Sequence, residues 1–354
     1  MRAVNRYWLV LILGILLTGC ITGNKQKENQ PIVFDIWYGD QQEFGKLGMP
    51  QKWINILGNL QSEHPIAELS YQLNASEPRP LSLGSDLHRL ASSGDFNVDL
   101  DVNTLKDGNN VLMLHATDSI GNSVMREVQF SVEKNKKWPL PYSIEWSKVR
   151  DLQDVVQVVD GHWVITEDGL RNKDIYYDRV VAFGDTSWSN YEVTTTVTFH
   201  SFKAPEPGPP TYNVSHAAIA VRWPGHDVDS LQPHRKWYPM GATAEFRLTA
   251  GLDSCRWRIF DGPKSVVFYE EQSEENYRTI ETGIIYGMKH KVESIGDSTT
   301  RYAVKLWQIH EKEPIDWDFV AIEQSENVFR GSALLLAHNT EVTFGDVVVL
   351  PVEK

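Results

Sequence analysis

One stretch of the chain concentrates the side chains that can bind a ligand or take part in a reaction: VRWPGHDVDSLQPHRKWYPMG, residues 221–241. It holds two histidines, two aspartates, two arginines and three aromatic residues among three prolines. Four interpretations are open at this point. The stretch is a catalytic centre, a metal site, a platform for a ligand, or a well-ordered loop.

As a ligand platform, the stretch has the two chemistries that a sugar requires. Flat rings pack on the C–H faces of a sugar, and polar side chains bond to its hydroxyls; here the candidates are Trp223, Trp237 and Tyr238 for the rings, and His226, Asp227, His234 and Arg235 for the polar contacts. The prolines stiffen the segment and lower the entropy lost on binding. An ordered surface loop anchored by its tryptophans remains an equal alternative.

Metal binding has less support in the same stretch. His226 and His234 are eight residues apart in a proline-broken segment, without the i,i+4 spacing of a helical site or an H-x-H strand pair. The sequence therefore assigns no metal ligands. Asp227 and Asp229 can bind calcium together with backbone carbonyls, so Ca²⁺ remains possible, and no other cofactor is predicted.

Known catalytic motifs are absent from the sequence. It contains no G-x-S-x-G elbow, P-loop, H-E-x-x-H or C-x-x-C. Retaining glycosidases need two carboxylates about 5–5.5 Å apart, and the acid pairs found here are more typical of solvated loops: Glu311/Glu313, Asp316/Asp318 and Asp227/Asp229. No catalytic residue is assigned; the catalytic alternative uses His226, His234 or His310 with Arg222 or Arg235.

The elements that must position these residues are β-strands. In residues 32–134, apolar and polar residues alternate, most clearly in DFNVDLDV, residues 95–102. That alternation predicts a half-buried strand with Asp99 and Asp101 on a face in contact with water. Glycine- and asparagine-containing turns separate the predicted strands, which indicates a β-sandwich.

Residues 142–354 again show a β pattern, with roughly ten predicted strands and no long helical period. The charged and proline-rich NKKWPLP, residues 135–141, indicates a domain boundary. This many strands in one domain predicts a jelly roll or a large two-sheet sandwich.

Several segments resemble known families. LKDGNNVLMLHATDSIGN resembles the last hairpin of bacterial immunoglobulin-like modules, and residues 185–193, 304–319 and 331–351 together resemble the concanavalin A-like lectin/glucanase (laminin-G-like) superfamily. The resemblance implies an all-β chain, with an N-terminal immunoglobulin-like β-sandwich (32–134) followed by a concanavalin A-like jelly-roll β-sandwich (142–354). Gln308-Ile309-His310 also matches a tripeptide of alginate lyases with this fold. The superfamily includes lectins, hydrolases, lyases and adhesion modules, so the fold implies no single activity.

The first twenty residues indicate a targeting segment. Arg2 and Arg6 precede a short apolar run, and Leu17-Thr18-Gly19-Cys20 resembles the lipobox of bacterial lipoprotein signals. The resemblance implies a signal peptide over 1–20, lipidation of Cys20 and a flexible tether over 21–31. Cys255 is then the only other cysteine, so no intrachain disulfide is expected.

The net charge of the chain limits the classes of partner that it is expected to bind. The 354 residues carry a net charge of −13 without a basic run, which argues against nucleic-acid binding. We expect a bacterial lipoprotein, anchored in the membrane on the extracytoplasmic side of the cell envelope, with the first sandwich as a spacer and the second binding a glycan. The alternatives are a divergent polysaccharide lyase or glycoside hydrolase on the same fold, and a non-catalytic structural or adhesion protein.

Overall fold

The computed structural model describes residues 31–204, 214–237, 239–262, 268–324 and 328–353. Cys20 and Tyr238 lie outside them. The described residues form 24 β-strands and short 3-10 turns at Val102–Thr104, Trp146–Lys148, Leu152–Asp154 and Glu274–Asn276. The prediction of an all-β chain is confirmed. None of the described residues forms a helix of the length and apolar character needed to cross a bilayer.

The first sandwich uses eight strands: β1 (Ile32–Ile36), β2 (Gln41–Phe44), β3 (Trp53–Ser62), β4 (Ile66–Leu73), β5 (Arg79–Pro80), β6 (Asp95–Asp101), β7 (Gly108–Asp118) and β8 (Ser123–Val132). One sheet has the order β1-β3-β6 and the other β2-β8-β7-β4-β5. Strand β2 runs parallel to β8, and the remaining pairs are antiparallel. Their facing side chains form one apolar core that includes Ile56, Phe96 and Leu114.

The second sandwich uses sixteen strands: β9 (Tyr142–Ile144), β10 (Gln157–Asp160), β11 (Trp163–Thr166), β12 (Gly169–Asn172), β13 (Arg179–Phe183), β14 (Tyr191–Phe202), β15 (Ser215–Trp223), β16 (Met240–Leu248), β17 (Arg256–Gly262), β18 (Phe268–Glu271), β19 (Ile285–Ser294), β20 (Thr299–Gln308), β21 (Phe319–Gln324), β22 (Ser332–His338), β23 (Thr340–Phe344) and β24 (Val347–Pro351). A seven-stranded sheet has the order β10-β13-β22-β15-β16-β17-β18. A nine-stranded sheet has the path β11-β12-β23-β14-β19-β20-β21, to which β24 and β9 attach.

Strand alternation explains how the two larger sheets pack. In β14, Val193, Thr195, Val197 and Phe199 are buried on one face, while Thr194, Thr196 and Thr198 on the other face are partly exposed. These apolar side chains join Ile219, Phe246 and Leu335 of the seven-stranded sheet in the main core. Because side chains on a strand point alternately to opposite faces, this face of the nine-stranded sheet packs on the inner face of the seven-stranded one.

The seven-stranded sheet is also covered on its second face. Strands β15, β16 and β22 are buried along their whole length. Val180, Ala218, Trp223 and Leu336 form a separate apolar cluster there. Both faces of this sheet are therefore shielded, and any polar side chain on the second face lies in a partly desolvated environment.

The prediction of a solvated face for DFNVDLDV is wrong. Every residue of β6 from Asp95 to Leu100 is buried. Asn97 donates to the carbonyl of Val159 at 2.8 Å, so this face packs against the second sandwich instead of water. The alternation of apolar and polar residues correctly predicts a strand here. Such a pattern cannot show what covers the polar side of that strand.

The strands of the first two sheets lie within residues 32–132, and those of the other two begin at residue 142. Residues 31–354 nevertheless form one compact unit. The contacts that join the two sandwiches are the starting point for the site.

Candidate functional site

Residues 224–239, which we call the bridging segment, leave β15 at Trp223 and enter β16 at Met240. Three aromatic rings anchor it: the Trp223 and His226 ring centroids are 5.5 Å apart, those of Trp223 and Trp237 5.8 Å, and those of His226 and Trp237 5.1 Å. Trp223 is 0% exposed and His226 1% exposed. These two side chains are inside the molecule, and only Trp237 of the three is partly exposed.

The polar residues of the bridging segment contact the first sandwich or each other. Asp227 pairs with Lys52 at 3.3 Å and with Lys236 at 2.7 Å. Asp229 accepts hydrogen bonds from the backbone N–H groups of Leu231, Arg235 and Lys236, so its oxygens are occupied locally.

Two more predicted site residues reach into the first sandwich. Arg235 pairs with Asp86 at 2.8 Å. The backbone N–H of His234 donates to Asp99 Oδ2 at 2.6 Å, and the His234 ring packs 4.5 Å from the Trp53 ring. The Trp53 indole N–H in turn donates to the carbonyl of His226 at 2.7 Å. The segment thus connects the two sandwiches.

A buried arginine completes this connection. Arg89 donates to Asp160 Oδ1 at 2.5 Å, to Asp99 Oδ2 at 2.8 Å and to the carbonyl of His234 at 2.6 Å. The Arg89 side chain is 5% exposed and both aspartates are 1% exposed. Burial raises the pKa of Asp160 to about 7, against the opposing charges of Arg89 and Arg179. These contacts tie the first sandwich to the second through buried side chains.

Arg222, one of the two arginines of the catalytic alternative, is held by contacts within the protein. It sits at a β-bulge with φ of 51°, a conformation that L-residues adopt at a cost of about 1–3 kcal/mol. Its buried guanidinium donates to the Ser189 carbonyl at 2.8 Å, Asn190 Oδ1 at 3.0 Å and Ser294 Oγ at 2.9 Å. His310 lies in an exposed turn after β20, on the other sheet. The structure does not bring these two together with the bridging segment's histidines in one pocket.

A pocket of about 100 Å³ lies beside Trp237 on the second face of the seven-stranded sheet. Strand register explains its residues. His216 in β15 is paired with His338 in β22 and with Arg247 in β16, which puts all three in one row across the sheet. In the next row, Ala218 is paired with Glu245, and Glu245 with Arg258.

Small and large side chains share this face of the sheet. Ala218 and Ala220 lie on this face between larger neighbours. Trp237 and Met240 come from the bridging segment and the start of β16, and the full lining is Tyr177, Asp178, Val214, His216, Trp237, Met240, Thr243, Glu245, Arg258, Phe260, Leu336 and His338. The pocket therefore combines aromatic walls with a charged floor.

Glu245 is the central acid of this floor. Its carboxylate is 3.7 Å from Arg247 Nε and 3.8 Å from Arg258 Nη1. These two distances are typical of ion pairs and are too long for hydrogen bonds. Burial raises the pKa of Glu245, although Arg258 and Arg247 act in the opposite direction. Burial likewise lowers the pKa of Arg247. Both charges are poorly solvated, so either can interact strongly with a ligand.

Two histidines form the other half of the floor. The His216 and His338 rings are stacked with centroids 4.7 Å apart and an interplanar angle of 3°. His338 Nδ1 is 2.7 Å from Asp178 Oδ1, and His216 Nε2 is 4.0 Å from Glu245 Oε1. Burial, followed by the proximity of His338 and the two arginines, lowers the pKa of His216 well below its usual value, so this imidazole is neutral near pH 7.

Several buried polar atoms of this floor lack a hydrogen-bond partner among the described residues. They are His216 Nδ1, His338 Nε2, Glu245 Oε2 and Arg247 Nε. An unsatisfied buried polar atom costs about 1–3 kcal/mol. Three of these atoms belong to residues that line the pocket, and Arg247 lies next to them in the sheet.

A wider cleft of about 700 Å³ lies on the other side of the bridging segment, between it and the first sandwich. Trp53, Tyr71, Arg79, Lys106 and His234 are among its lining residues. His234 therefore lies at a different opening from Trp237, and the predicted platform residues are divided between two surfaces and the interior.

The site residues predicted from the sequence lie mainly in residues 221–241, so they did not include His216, Glu245 or Arg258. A signal was present: AEFRL and SCRWRIF carry charged residues at alternate positions of otherwise apolar strands. Such alternation places Glu245 and Arg247 on one face. Only the pairing of distant strands shows that His338 and Asp178 belong to the same floor.

No family model and no curated protein matches the chain. Among solved structures, an endo-beta-1,4-mannanase from Thermotoga petrophila aligns with 14% identity and a TM-score of 0.24, over 32% of this chain and 22% of that one. The metal-free VIP36 exoplasmic/lumenal domain aligns with 8% identity and a TM-score of 0.39, over 61% and 94% of the two chains. A structure of carbohydrate-binding modules from the β-sandwich superfamily aligns with 10% identity and a TM-score of 0.18, over 86% and 92%. Values this low carry no argument about activity or ligand, and the architecture rests on the chain's own sheets: two stacked β-sandwiches in one compact unit.

Proposed function

We propose that the protein binds carbohydrate in the pocket beside Trp237. The observation that carries the proposal is the group of buried, unpartnered polar atoms next to half-exposed aromatic rings. Sugars have C–H faces that pack on such rings and hydroxyls that both donate and accept hydrogen bonds. Glu245 lines the pocket, and its Oε2 atom accepts from a sugar hydroxyl in this proposal.

The size of the pocket limits what enters it. At about 100 Å³ it is smaller than the roughly 300–1,000 Å³ of sites for drug-sized ligands. We infer that a single sugar ring or a ring substituent enters, with the rest of the glycan outside against Trp237. A terminal residue or a side branch fits this arrangement better than the middle of a linear polymer.

A glycan array followed by titration calorimetry tests the proposal. Trp237→Ala and Glu245→Gln are each expected to weaken binding at least tenfold, since tenfold corresponds to about 1.4 kcal/mol, within the range of one lost charged hydrogen bond. Trp317→Ala is the matched control, because Trp317 is also half-exposed but packs against Lys305 on the other sheet. Unchanged binding in both pocket variants, or no binding by the wild type, would refute the proposal.

A divergent hydrolase or lyase is the second candidate, favoured by the position of Glu245, which is buried and lines the pocket. Burial raises the pKa of Glu245, as is typical of a carboxyl group that donates a proton in catalysis. Incubation with alginate, laminarin and related polymers checks it. New reducing ends, or the absorbance of unsaturated uronates, that disappear in Glu245→Gln would establish an enzyme in place of a binding protein.

We also propose that the chain is a lipoprotein, anchored through Cys20 on the extracytoplasmic side of a bacterial cell envelope. Support comes from the lipobox-like sequence alone, because Cys20 lies outside the described residues. Labelling of cells with an alkyne fatty acid is expected to modify the wild type and not Cys20→Ser. Equal labelling of both proteins would exclude this anchor.

The finer fold assignment belongs to the same proposal. We infer an immunoglobulin-like relationship for residues 32–134 and a concanavalin A-like relationship for residues 142–354. The family-like segments support it, together with the two-sheet form of each part. In this proposal, glycan binding belongs to the second sandwich, and the first sandwich supports the bridging segment that carries Trp237.

A further inference from the structure

We propose that Asp178, His216 and His338 bind a divalent transition-metal ion of the zinc type. One possible ligand atom of each residue lies within 4.8 Å of those of the other two. The residues come from the position before β13, from β15 and from the end of β22, which are neighbours in the sheet. Two imidazoles with one carboxylate form the protein ligand set of many three-ligand zinc sites, where the fourth position stays open.

The donor atoms needed for such an ion are present: Asp178 Oδ1 and His338 Nδ1 pair with each other, and other nitrogens of the two imidazole rings have no partner among the residues that the structure describes. His216 is 4% and His338 3% exposed, and each has one buried ring nitrogen without a hydrogen-bond partner in the described part of the chain. Two such nitrogens, side by side in one pocket, are unfavourable unless something binds them. A metal ion bound by His216 Nδ1 satisfies one of them, and its other two ligands are then Asp178 and the neighbouring Nδ1 atom of His338.

The ligand atoms of the three residues lie near one another, but they do not form a coordination shell in this structure. Zinc–nitrogen bonds of about 2.0–2.1 Å in a tetrahedron place ligand atoms about 3.3 Å apart. The Asp178 Oδ1 to His338 Nδ1 distance is 2.7 Å, while the His216 and His338 rings lie parallel at 4.7 Å. An ion lies near the plane of each imidazole it binds, so one of the stacked rings must rotate, and the adjoining pocket gives it space.

The charges around the site are mixed, because Glu245 lies on one side of His216 while the positive charges of Arg247 and Arg258 also act on its imidazole. Glu245 Oε1 lies 4.0 Å from His216 Nε2. A carboxylate behind a metal-bound imidazole orients the ring and increases its basicity. Asp178 bears the single carboxylate among the three proposed ligands. Calcium prefers six to eight oxygen ligands, so this set selects a softer ion.

This inference does not rest on glycan binding. The three residues are far apart in sequence and form no local motif, which is why the sequence assigned no metal ligands. Asp178, His216 and His338 all line the pocket that Trp237 also lines, and in this proposal a water molecule or a ligand oxygen there completes the shell.

Zinc titration of the chelator-treated full chain, carrying no histidine tag, tests the proposal. We expect one Zn²⁺ per chain in the wild type, at least tenfold weaker binding in His216→Ala and in His338→Ala, and unchanged binding in His310→Ala, the exposed-histidine control. Ca²⁺ at the same concentration is not expected to compete. Absence of stoichiometric binding by the wild type, or equal affinity in both pocket variants and the control, overturns the site.

A measurement on the wild type alone covers the case in which the variants fail to fold. X-ray absorption at the zinc edge should show nitrogen and oxygen neighbours at about 2.0–2.1 Å, with the outer scattering of two imidazoles. A spectrum with no imidazole scattering, or with sulfur ligands, overturns the proposal. Because neither experiment contains a sugar, a failed glycan array and a failed metal site remain distinguishable.

Discussion

Replacement of Arg89 by methionine should cause the two sandwiches to unfold in separate transitions. Arg89 makes hydrogen bonds to Asp99, Asp160 and the His234 carbonyl, and a fourth to the Val159 carbonyl at 3.1 Å. Methionine keeps much of the apolar stem but leaves two buried carboxylates without their cation. Removal of one partner from a buried ion pair costs about 3–5 kcal/mol, a large part of the about 5–15 kcal/mol that keeps a typical protein folded.

The assay is guanidinium unfolding followed by tryptophan fluorescence, together with calorimetry. We expect Arg89→Met to lower the free energy of unfolding by about 3–5 kcal/mol and to divide one cooperative transition into two, as the first sandwich unfolds apart from the second. Arg126→Met is the control, because the Arg126 pair with Asp40 is 46% and 41% exposed. Exposed pairs contribute about 0–1 kcal/mol.

A rescue experiment shows whether the loss of stability comes from the two uncompensated carboxylates. Adding Asp99→Asn and Asp160→Asn to Arg89→Met removes the uncompensated carboxylates and should restore much of the lost stability. If Arg89→Met is no more harmful than Arg126→Met, the buried network does not hold the sandwiches together, and our account of the bridging segment is refuted.

Three further outcomes are expected. Arg222→Lys should lower the free energy of unfolding by about 1.5–3 kcal/mol in a denaturant titration, since lysine cannot reproduce the fork that reaches Asn190 and Ser294. Burial raises the folded pKa of Asp160 to about 7, so the stability that its protonation contributes is fully present below about pH 3.8 and declines by up to about 1.4 kcal/mol per pH unit towards pH 7. The free energy of unfolding of the wild type minus that of Asp160→Asn, measured against pH, should show this slope. Gly331→Ala should cost about 1–3 kcal/mol in thermal unfolding, because a Cβ there would lie 2.2 Å from the Arg222 backbone carbonyl carbon.

The bridging segment illustrates how far sequence reasoning reaches. Its rings, charges and prolines correctly identified an ordered and chemically unusual segment. They did not reveal that Trp223 and His226 are buried, or that Arg235 and His234 contact the first sandwich, and the role of the segment in binding stays a prediction. Composition can show which groups are available for contact, but the choice between sugar and protein partner depends on the surface that packs nearby.

The sequence by itself determined the all-β class and most strand positions, because the alternation of apolar and polar side chains follows directly from local backbone geometry. Only the tertiary structure decided which polar faces stay in water. Asp99 is covered by a segment more than a hundred residues away, and His216 meets His338 through strand register over a similar separation. Such contacts depend on how whole sheets pack and pair, and a periodic pattern within one strand contains no information about the partner that covers it.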